Sequence, residues 1–344
     1  MRILMHDFDR AEAEENLGTF EVVVERKLAQ AKSSANHLSM LHRFTLSLLG
    51  YLAGLGKDTG RLRNVLRLLA RTGAATFALA RTRPGESVDV ALDDDGVSRL
   101  TGPVDESTAH GGVWLFSYWA ALILDDPQSL YLLSTTPVRI MRDSSTTSDP
   151  YYEMFIDALE SFTNADSSVT QKLFPALQAT DPAGLKTSEA RYVLNIHVPQ
   201  MEILYNLLKS RQEGFTSALV KALEKHKTYW ERDRENTEGL FALGPAALAC
   251  AAVRQGLRVE VESGYMPAGL LRPRIAEPLS LCPYCLTPAA LAATLCPACA
   301  QDMSKDARID MDREEFIAER KTCATCGTRI PKLAVTCPSC RAQQ

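Results

Sequence analysis

Basic charge is scarce in this 344-residue chain: 38 Lys and Arg stand against 42 Asp and Glu, a formal net charge of -4 with a pI near 5.9. No basic field is available to hold a phosphate backbone, so nucleic acid is not expected as a partner. Uninterrupted apolar runs are missing as well. The segment 113–124 is too short to cross ~30 Å of hydrocarbon, and the uncharged run 279–301 carries four cysteines and three prolines, which would break a spanning helix. No membrane role is expected. The start turns acidic at Asp7 and Asp9, where a secretory signal needs roughly 7–15 apolar residues, so a cytoplasmic protein is expected. Motifs of common chemistries are absent too. There is no G-x-S-x-G elbow, P-loop, G-x-G-x-x-G turn, H-E-x-x-H helix or H-x-E deaminase signature, and the expectation is a protein without enzymatic activity.

Hydrophobic residues at 46%, charged residues at 23% and a mean hydropathy of -0.11 place the chain among globular proteins of about two domains. The sharpest signal is the cysteines: of 9, only Cys250 lies outside the C-terminal region. Cys282, Cys285, Cys296 and Cys299 form a C-x2-C-x10-C-x2-C array, and Cys323, Cys326, Cys337 and Cys340 repeat it at the same spacing. Two C-x2-C pairs close a tetrahedral thiolate cage around one zinc ion at Zn–S ~2.3 Å, so two structural zinc ions are expected. Disulfides are the rival reading, and a reducing compartment argues against them. The arrays resemble tandem zinc ribbons, although only Cys326 is followed by the glycine typical of such knuckles; Leu286, Ala300 and Arg341 depart from it. Residues 279–344 hold eight Lys/Arg against seven Asp/Glu and only Tyr284 and Phe316 as aromatics, which suits a stabilising or protein-facing module better than a nucleic-acid reader.

The remainder reads as helix. Apolar residues recur at three- and four-residue steps over 10–31, 35–55 and 59–81, predicting three opening helices. Asp95-Gly96, between two alternating runs in 88–100, predicts a β-hairpin. Asp126-Pro127, Asp149-Pro150 and Asp181-Pro182 each pair an N-cap acceptor with a proline suited to a first helical turn. A stripe from Phe215 to Trp230 and a small-residue stretch 240–253 predict two more helices, Gly256 a helix stop, and the alternation in 258–262 an edge strand.

Several residues admit a functional and a structural reading. His226 and Trp230 sit on one apolar stripe and read as core, as do Trp114, Tyr118 and Trp119. His110-Gly111-Gly112 has the look of an oxyanion loop but lacks a nucleophile and reads as a helix start, and Cys250 reads as a buried inert thiol. Acidic clusters occur at Asp7, Asp9, Glu12, Glu14 and Glu15, at Asp93, Asp94 and Asp95, and within 302–319. The hairpin tip Asp93–Asp95 is the first candidate for partner binding, because an exposed loop presents carboxylates without using a core face.

The segments Leu223-Glu-Lys-His226-Lys-Thr-Tyr229-Trp230, Ala242 to Cys250 and Val259 to Pro267, together with Trp114 to Ala120 and the N-terminal helices, resemble the immunity protein 49 family over roughly residues 5–271. Met266 stands where the family's segment would have leucine. The resemblance implies an immunity partner that binds a cognate bacterial toxin domain, with a nuclease or deaminase as candidates, and neutralises it without catalysis. It supplies no catalytic residue. The expected architecture is mainly α: a helical domain over 1–275 with a small β-hairpin, zinc ribbons over 279–301 and 322–344, and a charged linker helix over 302–321. The alternative function is a zinc-ribbon adaptor or regulator acting on nucleic acid or a transcription complex.

Overall fold

In the computed structural model, the predicted amphipathic runs form α1 (Arg10–Ala31), α2 (Leu38–Gly54) and α3 (Thr59–Ala80). The structure describes residues 1–271 and, beyond them, 279–281, 288–290, 309–310, 320–322, 324–325 and 329–331. Asp9 starts α1 by accepting from the amides of Ala11 (2.9 Å) and Glu12 (3.0 Å), and Asp58 starts α3 by accepting from Arg61. Leu38, Leu41, Leu48, Leu49 and Leu52 of α2 are buried, as are Leu62, Leu66 and Leu69 of α3, on which α2 packs. Each such leucine contributes roughly 1.5–3 kcal/mol.

The predicted hairpin is β2 (Ser87–Val90) paired with β3 (Ser98–Thr101), its tip closed through Gly96 at φ +141°. Next come α4 (Gly111–Leu124), α5 (Pro127–Ser134), α6 (Arg139–Arg142), α7 (Pro150–Thr163) and α8 (Val169–Gln178). In α4 every residue except Gly112 and Phe116 is buried, and it packs on α3, α5, α7 and α12 (Leu243–Arg254). The α3–α4 seam is tight because of Gly73, where an added Cβ would lie 1.9 Å from the Ser117 Oγ. The same hydroxyl meets the His42 Nε2 at 3.0 Å, tying α2 to α4. Arg254 crosses from α12 to donate to the Leu122 carbonyl at 2.7 Å, placing a cation at the C-terminus of α4.

α9 (Ala190–Tyr192) runs through a π-turn at Val193–His197 into α10 (Val198–Leu208), followed by α11 (Gln212–Trp230) and α12. In the i→i+5 register of this turn Pro199 has no amide proton for the Leu194 carbonyl five residues back, and that carbonyl is taken instead by the Lys225 Nζ at 2.9 Å. α12 ends as predicted at Gly256, φ +85°, with the Gly256 amide on Val253 O and the Leu257 amide on Ala252 O.

Three expectations are corrected here. Asp181-Pro182 opens only a 3-10 turn, Pro182–Gly184. The strand expected over 258–262 shrinks to β4 (Glu262–Ser263), parallel to β1 (Arg2–Ile3), since the backbone of Arg258 is satisfied at both N–H and C=O by the Gln212 side chain. Asp149 does occupy the N-cap of α7, but its carboxylate turns away from that helix to the amides of Lys186, Thr187 and Ser188.

The chain divides into two units, Met1–Val88 with Leu92–Pro273, and Asp89–Ala91 with Arg274–Gln344. Within the second, β5 (Leu279–Leu281) pairs antiparallel with β6 (Pro288–Ala290) on one edge and with β7 (Ile309–Asp310) on the other, and β8 (Arg320–Thr322) pairs antiparallel with β9 (Arg329–Pro331). Where a linker helix was expected over 302–321, the described residues Ile309–Asp310 and Arg320–Lys321 are strand. β7 supplies backbone partners to the edge of β5 that β6 leaves open, a pairing that no helical reading of the charged segment anticipates.

Candidate functional site

The hairpin tip is built by charge pairing. Asp93 meets the Lys32 Nζ at 2.5 Å and Asp95 meets it at 3.7 Å, while Asp94 pairs with Arg71 at 2.7 Å and Arg67 at 3.6 Å. Asp93 Oδ1 also accepts from the Asp95 amide, shaping the turn. The three carboxylates are therefore tethered to α3 and to the end of α1 rather than projecting freely. Asp93 side-chain exposure is 20%, against 69% for Asp94 and 85% for Asp95, so the outward charge is carried by the last two. Hydrogen bonding to Asp93 raises the Lys32 pKa. Beside them the tip exposes Val97.

The first acidic cluster lies on exposed residues, but two of its members have local work: Asp9 caps α1, and Glu14 pairs with Lys57 at 2.7 Å. The third, within 302–319, falls outside the described residues except at Asp310.

A second polar concentration, which sequence reasoning missed, surrounds the π-turn. Tyr192, His197, Gln200, His226, Trp230 and Glu238 line a cleft where α10, α11 and the start of α12 meet α4. Tyr192 sets its ring edge-on to His197 at 5.0 Å, and the His197 Nδ1 meets the Tyr151 hydroxyl at 2.9 Å. His226 Nε2 meets the Gly239 carbonyl at 3.0 Å. Burial lowers His197 to a pKa of about 3 and His226 to about 4, so both are neutral, and it raises the Glu238 carboxyl. The Gln200 Oε1 and Trp230 Nε1 are buried without a hydrogen-bond partner among the described residues. The cleft volume of about 30 Å³ accommodates roughly two water molecules, an acceptor and donor pair for Trp230 and Gln200. Small-molecule pockets begin near ~300 Å³. The sequence signal was Pro199 inside a helical run, which marks an irregular turn; the convergence of Gln200 and Glu238 has no local signature.

The aromatic and thiol readings hold. Trp114, Tyr118 and Trp119 are fully buried, with Trp114 stacked on Tyr118 at 4.7 Å and donating through Nε1 to Leu133 O at 3.0 Å. His226 and Trp230 are core, and His110 caps α4 by accepting from the Gly112 amide at 3.1 Å. Cys250 is buried, its thiol pushed up to about 11 by burial. The eight candidate zinc ligands, Cys282, Cys285, Cys296, Cys299, Cys323, Cys326, Cys337 and Cys340, lie outside the described residues. Among the described residues no group of three or more His, Cys, Asp or Glu is placed to hold a metal, and no helix is long and apolar enough to cross a membrane.

Fold and site together define a mainly helical domain in which His197 and His226 are buried and the hairpin tip carries the exposed carboxylates of Asp94 and Asp95. A sequence model of the immunity protein 49 family matches residues 57–270, more than half of the chain, and the chain belongs to that family. No curated protein and no solved structure matches it.

Proposed function

We propose that this protein protects the cell that carries it by binding a cognate bacterial toxin domain and covering its active site or substrate groove, without turning over a substrate. Family membership over residues 57–270 is the observation that carries this reading, since that span forms most of the helical domain. A toxin that acts on nucleic acid, a nuclease or deaminase, presents a basic groove, and Asp94 and Asp95 at the hairpin tip offer it exposed carboxylates on a loop already braced by Arg67, Arg71 and Lys32.

The test is growth rescue. The full chain is co-expressed with the product of the adjacent gene in a sensitive bacterium, and complex formation is followed by co-purification. Rescue accompanied by a stable complex is expected. A toxic neighbour that the chain neither binds nor neutralises would overturn the reading.

A further inference from the structure

We propose that the C-terminal unit holds two structural zinc ions, one bound by Cys282, Cys285, Cys296 and Cys299, the other by Cys323, Cys326, Cys337 and Cys340. The cysteine spacing supplies two four-ligand sets, and the described strands flank the first pair of each set in sequence. β5 ends at Leu281, the residue before Cys282, and Leu281 lies opposite Pro288. The hairpin connection is thus the six residues 282–287, with cysteine at its first and fourth positions. β8 ends at Thr322, the residue before Cys323, and Thr322 lies opposite Arg329, so six residues, 323–328, again separate the paired strands, with cysteine at the same sequence positions. Strand, cysteine pair, strand and second cysteine pair all recur at a constant offset of 41 residues, as from Cys282 to Cys323. A repeat kept in register at the level of backbone pairing as well as sequence is what two copies of one metal-organised hairpin require.

The second cysteine pair of the first repeat falls between two strands that flank β5. β6 and β7 both run antiparallel to β5, so both begin at the end of β5 that leads into Cys282: Pro288 and Ile309 each lie opposite Leu281. The chain leaves β6 at the far end, after Ala290, and must return to the Cys282 end by Ile309. In sequence, Cys296 and Cys299 lie between those two strands, within residues 291–308. In the other repeat Cys337 follows Pro331 at the interval by which Cys296 follows Ala290.

Four thiolates fill a tetrahedral zinc shell and leave no position for water, which assigns the ions a structural rather than a catalytic part. Binding one Zn²⁺ releases four thiol protons and leaves each site with a charge of about -2. Cys250 is unsuited to competing for metal, since it is buried in α12 with its Sγ near the Leu270 carbonyl at 3.4 Å. This inference is independent of the immunity reading, because its readout is metal content rather than protection.

The experiment uses the full chain purified under reducing conditions, with metals counted by inductively coupled plasma mass spectrometry. The chain is then stripped by a chelator and titrated anaerobically with zinc. Two zinc ions per chain are expected, with eight of the 9 cysteines shielded from a thiol reagent until the metal is removed. Cys282→Ser/Cys285→Ser and Cys323→Ser/Cys326→Ser should each retain one ion, and Cys250→Ser should retain both. Circular dichroism of each variant reports whether the helical unit has folded, and the count on the unmodified chain decides the matter by itself. A chain that takes up no zinc, takes up a single ion, carries iron in its place, or shows intramolecular disulfides in its mass overturns the proposal.

Discussion

Gly73 and Ser117 face each other across the α3–α4 seam so closely that a methyl group on Gly73 would fall 1.9 Å from the Ser117 Oγ and 2.3 Å from its Cβ. Neither atom can move away freely, because Ser117 is buried and its hydroxyl meets His42 on α2. Gly73→Ala should therefore destabilise the domain by about 1–3 kcal/mol through overpacking. Gly18, inside α1 with nothing within 4 Å of an added Cβ, provides the contrast: Gly18→Ala should stabilise by roughly 0.5–1 kcal/mol. Urea melts of the two variants measure both signs, and equal effects would contradict the seam.

Asp149 binds three successive amides, from Lys186 at 2.7 Å, Thr187 at 3.2 Å and Ser188 at 2.7 Å. Burial alone would raise its pKa, yet these N–H groups and the Ser188 hydroxyl outweigh burial and hold the carboxyl at about 2. Asp149→Ala would leave these amides without their acceptor, at a cost of about 3 kcal/mol; Asp149→Asn, which keeps one acceptor oxygen, should cost less. Chemical denaturation at neutral pH measures both. A neutral Asp149→Ala would show that water replaces the carboxylate.

Three histidines make stability depend on pH above the carboxylate range. Burial depresses His42 and His197 to about 3 and His226 to about 4, from 6.5. Between these values the unfolded chain binds protons that the folded chain refuses, so the stability they confer is complete above pH 6.5 and falls as pH drops toward 4. Each histidine contributes a slope of about 1.4 kcal/mol per pH unit in that window. Unfolding midpoints should decline progressively between pH 7 and pH 5, and His226→Gln should flatten the decline by about one proton. Midpoints that stay level would mean these imidazoles protonate inside the fold.

At the hairpin tip, Asp94→Asn/Asp95→Asn should slow association with the toxin several-fold at low salt and hardly at all at high salt, since steering is screened over a Debye length of ~8–10 Å. Stability should change by less than about 1 kcal/mol, as for exposed ion pairs generally. Stopped-flow association rates at two ionic strengths decide the matter, and an unchanged rate at low salt removes the tip from the interface.

The opening helices, the hairpin, the core aromatics and the Gly256 stop were legible because each is encoded locally: periodicity for α1 to α3, Asp-Gly for the turn, a left-handed position for Gly256. What was not legible depends on distant partners. Arg2 and Ile3 pair with Glu262 and Ser263 from the other end of the helical unit, and Asp149, read as a helix cap, spends its carboxylate on a loop that follows α8. For the candidate sites, the acidic tip could be read as a loop but not as a loop tied down by Lys32, Arg67 and Arg71, because those cations come from other helices. The cleft was hidden because Gln200, Trp230 and Glu238 converge only after three segments pack. β7 was read as helix, since a two-residue strand in a charged stretch has no periodicity to show.

Burial of α4 on nearly all sides has a practical use. With neighbours on every face, its amides can exchange with deuterated solvent only through openings close to global unfolding, so their exchange times report the stability of the whole domain. Any partner that binds the folded domain alone lengthens those times by the factor it adds to the folding equilibrium, wherever on the surface it docks. The Trp114–Trp119 stretch therefore serves as a built-in gauge of occupancy, one that reads out binding before the interface has been mapped.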